Sequence, residues 1–468
     1  MKGGKADFLC YCRVIFCGEK MAEEKSMECP FTWGMDHERV RESRDFDEQM
    51  PDEIDNEYPF TPLIDSIIHA YSSTIKNNFE RAQKELNKML ELWNHLDKRI
   101  LADDGISVEV LEHIIKSTQY HLYIKLNRPE EAKAVVQGLR DSFTFKSRQD
   151  LATIYGCKGI SWSIFGLRAK NATLLSRTAV MINPSCSAWQ YQLGKNLWSA
   201  RREKAYELPT DEEIESFEKA YNLSENPYYG IRAALVFKEG KQYDKEYQIL
   251  LQIYEMQPKH ISIRLRLALC FLRKYDFTKT KDCLDYVEGK APGNSIFLHY
   301  KGIYYEKMKK YKEAAVYYKK SADLDNFAAD VQYASCELKI NKNFKYVSHL
   351  KNVLEKYNST YKKQKLLLQI GVSYYAIHRD IENAISYILD AVAKDFENVQ
   401  LFKNFFDVRE NKPYNILTFL DQTLLPAYIA IENKKLPEIQ SNLNILKKID
   451  WNWSRNWSTM GQSETGKK

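Results

Sequence analysis

A recurring pattern of small and aromatic positions organises this chain. Gly302, Tyr305, Tyr311, Ala314 and Tyr318 follow one another in steps of 3, 6, 3 and 4. That spacing sets one small residue on each of two successive helices and places aromatics beside their crossing. The same template fits Ala268, Phe271, Phe277, Thr280 and Leu284, and before them Ala234, Phe237, Tyr243, Glu246 and Leu250. Pro258 and Pro292 close these two units 34 positions apart. Proline has no amide hydrogen to continue a helix, so it falls where the second helix stops.

Further copies run through Ala70, Phe79, Ala82 and Leu86, through Tyr123 with Ala132, and through Gly159, Trp162, Leu175 and Ala179 before Pro184. Gly371, Tyr374, Ala384, Ile388 and Ala391 form a clear copy, and the stretch from Ala334 to Leu350 a degenerate one. Eight or nine helical hairpins are predicted. A single hairpin cannot bury its apolar stripe, so neighbours stack; the expected fold is an all-α tetratricopeptide-repeat superhelix with its binding surface on the concave face.

The repeats set the expected organisation. Residues 1–28 read as a disordered leader or a start-site artefact, with Met21 and Met27 in frame, and 29–57 as an N-terminal element and acidic linker. N-terminal repeats occupy 58–145, middle repeats 146–260 with an insertion near 198–210, and C-terminal repeats 261–395. Capping helices are expected over 396–450, and a flexible tail carrying Trp451, Trp453 and Trp457 over 451–468.

Composition agrees with long amphipathic helices. Glycine (18) and proline (13) are scarce in 468 residues, charged residues make up 28%, and 60 aromatics supply the burial that a disordered chain lacks. No apolar run approaches the roughly 18 residues of a membrane span, so no membrane association is expected. Nine scattered cysteines fit a reducing, intracellular setting, with Cys157, Cys270, Cys283 and Cys336 as small buried hydrophobes. The net charge of +6 is modest but uneven: eight carboxylates crowd Glu42 to Glu57, and seven lysines crowd Lys301 to Lys320.

Catalytic signatures are missing from the sequence. There is no HExxH, Walker-type GxxxxGK[ST], GxGxxG or GxSxG, and His113 and His121, eight apart on one helical face, have no third metal ligand nearby. A non-catalytic repeat protein without cofactor is expected. It would serve either nucleic-acid binding or protein assembly.

Cys29, Pro30, Phe31, Thr32 and Trp33 match the short Cys-x-Phe-Thr-Trp element that opens the interferon-induced proteins with tetratricopeptide repeats. The acidic linker, a leucine-rich first hairpin, a glycine-flanked turn from Gly159 to Gly166 and a mid-array insertion are also similar. The chain resembles this family over roughly Cys29 to Ala391. The resemblance implies a cytoplasmic protein of innate antiviral defence that captures the 5′ region of foreign single-stranded RNA in a basic tunnel. Guanidinium and ammonium groups would neutralise the 5′ phosphates while aromatic faces stack the bases.

The same resemblance assigns the contacts. His299 matches a family histidine three positions before Gly302, and Tyr300 stands where the family has glutamine. Arg201 and Arg202 fall within one or two positions of a phosphate-binding arginine, Arg264 and Arg266 flank another, and Arg39 corresponds to the arginine of the N-terminal segment. Trp162 lies near the family's Gly-Trp pair, here Gly159-Ile160, and Ile164 replaces a lysine of the phosphate pocket. The alternative is a peptide-binding scaffold. A clamp for C-terminal carboxylates would need lysine and asparagine where His299 and Ile303 stand, whereas other peptide modes, and homo- or hetero-oligomers built through the C-terminal helices, stay open.

Overall fold

The computed structural model describes residues 27–42, 60–137, 147–165, 169–203 and 208–394, and beyond these 401, 405–406, 414–419, 423–424 and 426. The leader before Met27, nearly all of the acidic linker, Gly166, Lys204 and the tail with Trp451, Trp453 and Trp457 lie outside the described residues. The chain divides into two compact units, Met1–Ile263 and Arg264–Lys468.

In the first unit α1 (His37–Glu42) precedes a hairpin of α2 (Phe60–Ile75) and α3 (Phe79–His95), and a short α4 (Lys98–Asp103) follows. Four more hairpins come next: α5 (Val108–Lys125) with α6 (Pro129–Gln137), α7 (Arg148–Ile164) with α8 (Ala169–Ile182), α9 (Ser187–Glu203) with α10 (Asp211–Ser224), and α11 (Pro227–Glu239) with α12 (Tyr243–Glu255). The second unit begins inside α13 (Ile261–Arg273), which pairs with α14 (Phe277–Lys290). Then come α15 (Ser295–Lys307) with α16 (Tyr311–Ala322), and α17 (Phe327–Ile340) with α18 (Tyr346–Lys356). Last, α19 (Thr360–Ser373), extended by a π-helical turn at Tyr374–His378, pairs with α20 (Ile381–Lys394). Nine hairpins are thus present among the described residues, and the all-α tetratricopeptide-repeat class is the observed one.

The small residues of the pattern sit at the helix crossings. Ala234 and Ala268 are each 1% exposed. A methyl group added at Gly302 would stand 2.5 Å from the ring of Tyr318, which is fully buried and whose hydroxyl donates to Glu306 at 2.7 Å. At Gly371 it would meet Ile388 at 2.8 Å and the Ala384 carbonyl at 2.9 Å. Gly302→Leu is therefore expected to lower stability by roughly 1–3 kcal/mol through overpacking, read as a fall in thermal midpoint. An unchanged midpoint would put Gly302 away from the crossing.

A second regularity escapes the sequence pattern. Asn77, Asn127, Lys241, Tyr275, Lys309 and Arg379 all adopt φ between 58° and 60°, each two residues before the second helix of its hairpin. Only the two asparagines suit this left-handed geometry, which costs other residues roughly 1–2 kcal/mol. Lys241→Gly should accordingly stabilise the protein by about 1 kcal/mol in urea unfolding, less the added freedom of the unfolded chain. Destabilisation would mean that the Lys241 side chain makes a contact that matters.

The placement of α9 depends on a distant carboxylate. Asp104 accepts from the backbone N–H of Ser187 at 2.7 Å and of Ala188 at 3.2 Å, while the Asn183 amide donates to the Gly105 carbonyl at 2.9 Å. A negative group at a helix N-terminus satisfies its unpaired amides and favours its dipole. The N-terminal element packs in the same unit. Thr32 closes a turn on Cys29, Trp33 is buried with its indole N–H donating to Glu28 at 2.7 Å, and the Phe31 ring lies 5.0 Å from Tyr71 and 5.3 Å from His121. Burial pushes the Cys29 thiol up to about 12, and the four cysteines read as buried hydrophobes are buried.

Three expectations need correction. Gly159 lies within α7, where an added methyl would press on Ser176 of α8 at 2.7 Å, so it serves a helix crossing and not a turn. Arg201 and Arg202 belong to the last turn of α9 and not to an insertion loop; the helix simply runs longer than its neighbours. Within 396–450, Phe405–Phe406 pairs antiparallel with Tyr414–Asn415, followed by a short α21 (Ile416–Phe419). Pro413 precedes the second strand, and its ring disfavours helical geometry in the residue before it. Of the rest of that segment only 401, 423–424 and 426 are among the described residues.

Candidate functional site

The first helices of successive hairpins present cations and aromatics at helical spacing. In the first unit Tyr191, Lys195, Trp198 and Arg202 share one face of α9, at i, i+4, i+7 and i+11, and Tyr228 and Arg232 stand at i and i+4 on α11. The Arg202 guanidinium lies 4.8 Å from the Trp198 ring centre, and that of Arg232 lies 5.8 Å from Trp198 and 5.9 Å from Tyr228. The Lys195 ammonium is 5.8 Å from Tyr191, which stacks on Tyr229 at 4.3 Å with the rings 15° apart. Lys195 and Arg202 are exposed; Trp198, Tyr228 and Arg232 are half-buried. This face combines positive charge with accessible π surfaces, the two ingredients of sequence-tolerant binding to single strands.

Arg201 and Arg202 are neighbours in sequence but have separate tasks. Arg201 donates two hydrogen bonds to Glu213, each 2.9 Å, and also contacts Glu239. Its side chain is 11% exposed and that of Glu213 only 1%. The hydrogen bonds it donates to these carboxylates raise its pKa further, so its charge is permanent and committed to the packing of α9 on α10 and α11. Arg202 is 57% exposed and meets Glu239 at 3.6 Å.

The other predicted residues of this unit separate in the same way. Arg39 on α1 is exposed and approaches only Asp36, at 4.0 Å, among the ion pairs described. Trp162 is half-buried against the hydrophobic cluster that fills the first hairpins, with its indole N–H enclosed. That contact gives it a packing role.

In the second unit Arg264 is 3% exposed, 3.4 Å from Asp282 and stacked 4.6 Å over Tyr286. It braces α13 against α14. Arg266, two positions on, is half-buried and lowers the Tyr300 hydroxyl's pKa together with Arg273, although burial is the larger influence and leaves that hydroxyl raised. His299 is half-buried with Nε2 2.5 Å from the Gln332 side-chain oxygen. Burial lowers its pKa, outweighing that bond and the Glu306 charge. The imidazole is therefore neutral at pH 7, and with Nε2–H donating to Gln332 it offers shape and hydrogen bonding, not charge. Arg266, His299 and Tyr300 are thus brought together, whereas Arg264 is turned inward.

Lys195, Trp198, Tyr228, Arg232 and Arg273 were missed by motif reasoning. The signal was available as helical spacing of aromatics and cations along α9 and α11. Among the described residues no group of three or more His, Cys, Asp or Glu is placed to hold a metal ion, and no helix is long and apolar enough to cross a membrane.

No protein-family model matches the chain, and no curated protein is significantly similar to it in sequence. Solved structures do resemble it. The human IFIT1 dimer with PPP-AAAA superposes with a TM-score of 0.54 at 14% identity, covering 93% of this chain and 96% of that one. A monomeric IFIT1 mutant with Gppp-AAAA gives the same TM-score and identity over 92% and 98%. At this identity the likeness establishes a shared tetratricopeptide-repeat fold.

Proposed function

We propose that this protein is a non-catalytic, cytoplasmic tetratricopeptide-repeat protein that binds the 5′ region of single-stranded RNA in innate antiviral defence. The observation that carries the reading is the α9 and α11 face, where Arg202 and Arg232 flank Trp198 at 4.8 and 5.8 Å. Arg202, Lys195 and Arg232 would meet phosphates, Trp198 and Tyr228 would stack bases, and Arg266, His299, Tyr300 and Arg39 would add contacts on their own elements. The IFIT1 structures with PPP-AAAA and m7Gppp-AAAA support RNA as the ligand class. Arg201 and Arg264 enter this reading as the residues that hold the helices in place, and Trp162 as a core residue.

Filter binding of 5′-triphosphate, capped and 5′-hydroxyl RNA across a salt series tests it. Each phosphate neutralised on a single strand contributes a log–log slope of about −0.7. Lys195→Ala with Arg202→Ala should reduce the slope by roughly 1.4 and weaken binding of the preferred 5′ form most. Equal affinity for all three ends would contradict capture of the 5′ region. No binding at low salt would leave peptide scaffolding as the function.

A further inference from the structure

The turns joining first to second helices in the second unit lie on one edge of the hairpin stack, and contacts tie them side by side. The Lys307 ammonium, at the end of α15, sits 4.4 Å over the ring of Tyr275 in the preceding turn. Lys339, at the end of α17, reaches back to Glu306 at 3.0 Å and over Tyr311 at 5.2 Å. Three successive turns therefore form one continuous strip.

That strip is basic and carries an unusual aromatic. Lys309, Lys310, Lys342 and Lys345 are all exposed, and none of them forms an ion pair among the described residues. The carboxylates along it are engaged: Asp276 accepts from Lys279 at 2.8 Å, Glu306 from Tyr318 and Lys339, and Asp380 from Asn383 at 2.7 Å. Glu313, the one carboxylate of α16, is exposed without such a bond. Tyr275 is 62% exposed and held at φ 59°, a conformation that disfavours a bulky side chain. Neither burial nor backbone preference accounts for an aromatic there. Packed helices stand roughly 8–10 Å apart, so the strip offers charge at regular intervals along several nucleotides.

We propose that this edge, built from Tyr275, Lys307, Lys309, Lys310, Lys342 and Lys345, is a second binding track for single-stranded polynucleotide. It grips the sugar-phosphate backbone with its lysines and stacks a base on Tyr275, with no requirement for a 5′ phosphate. Tyr275 contacts Lys307 and, edge-on at 6.1 Å, Phe277, yet stays 62% exposed; an acidic polypeptide satisfies the lysines but makes no use of that open ring surface, so the aromatic decides for nucleic acid. The inference is independent of the 5′-end reading, because it concerns a different surface and a different part of the strand.

Fluorescence anisotropy with a 20-nucleotide 5′-hydroxyl oligouridylate tests it on the full chain. The triple variant Lys309→Glu, Lys310→Glu, Lys342→Glu should lose at least tenfold in affinity near 50 mM salt, and its log–log slope should shrink by about 2. Tyr275→Asn keeps a residue that tolerates the left-handed turn and removes the ring; it should weaken binding roughly fivefold or more with the slope unchanged. The neutral set Lys309→Gln, Lys310→Gln, Lys342→Gln should shift affinity in the same direction by less, which guards against misfolding of the charge-reversed protein. The preference for 5′-triphosphate over 5′-hydroxyl RNA should be the same in all variants; its absence from the wild-type protein would count against the 5′-end reading alone, whereas its loss only in the variants would overturn a track independent of the 5′ end. Wild-type affinity in the triple variant would overturn the track. So would a wild-type protein that fails to bind the oligouridylate, or Tyr275→Asn without effect while poly-glutamate competes as well as RNA.

Discussion

Arg201→Ala is expected to destabilise the protein by about 3–5 kcal/mol, because it leaves the buried Glu213 carboxylate with no countercharge. Glu213 is fully buried as a residue and receives both of the 2.9 Å bonds from Arg201. A carboxylate in such a place must either stay charged without its partner or take up a proton, and both are costly. Urea unfolding at pH 7 measures the loss. The double replacement Arg201→Met with Glu213→Leu should recover much of it, since exchanging a buried pair for apolar groups is often close to neutral. A loss below about 1 kcal/mol in the single variant, within the range of surface pairs, would mean that water reaches Glu213. Arg202→Ala, one position on, should leave the unfolding midpoint nearly unchanged and act only on ligand binding.

Asp330→Asn should bring a smaller loss, about 1.5–3 kcal/mol for its charged hydrogen bonds, with a distinctive pH dependence. Asp330 on α17 is 7% exposed and accepts from Lys356 at 3.1 Å and from the Tyr357 hydroxyl at 3.2 Å, with His349 at 3.8 Å. Burial raises its pKa, but hydrogen bonds from His349, Lys356 and Tyr357 together with the Lys356 charge outweigh burial and hold it below the ordinary value of 3.8. Lys356 also donates to the Ala322 carbonyl at 2.8 Å, so the carboxylate anchors a lysine that ties α18 to the end of α16. A depressed carboxylate contributes stability that is fully present above its unfolded pKa and disappears as pH falls through its folded one. The difference between wild type and Asp330→Asn should thus be constant from pH 7 to about 5 and shrink only below about 4. A difference that grew on acidification would reverse the assigned sign.

Local rules made much of the fold legible in the sequence. Gly302 and Gly371 announce helix crossings because only a residue without a side chain fits against Tyr318 and Ile388. Pro258 and Pro292 announce helix ends because proline cannot donate the next bond. The left-handed turns at Lys241, Tyr275, Lys309 and Arg379 were hidden, since the hairpin geometry imposes them against residue preference. The site was less legible for a related reason. Adjacent helical positions point about 100° apart, so Arg201 turns to Glu213, 12 positions on, while Arg202 turns to Trp198. Sequence proximity to a motif cannot separate them. Arg264 and Arg266 divide in the same manner, one beneath Tyr286 and the other beside Tyr300.

The most direct test of RNA binding on the repeat helices is ultraviolet crosslinking of the full chain to a 5′-triphosphate RNA carrying 4-thiouridine in its first four positions, followed by peptide mapping. Adducts are predicted on Trp198 and Tyr228, and their loss in the Lys195→Ala, Arg202→Ala variant. Adducts confined to other peptides, or unchanged in that variant, would contradict the account.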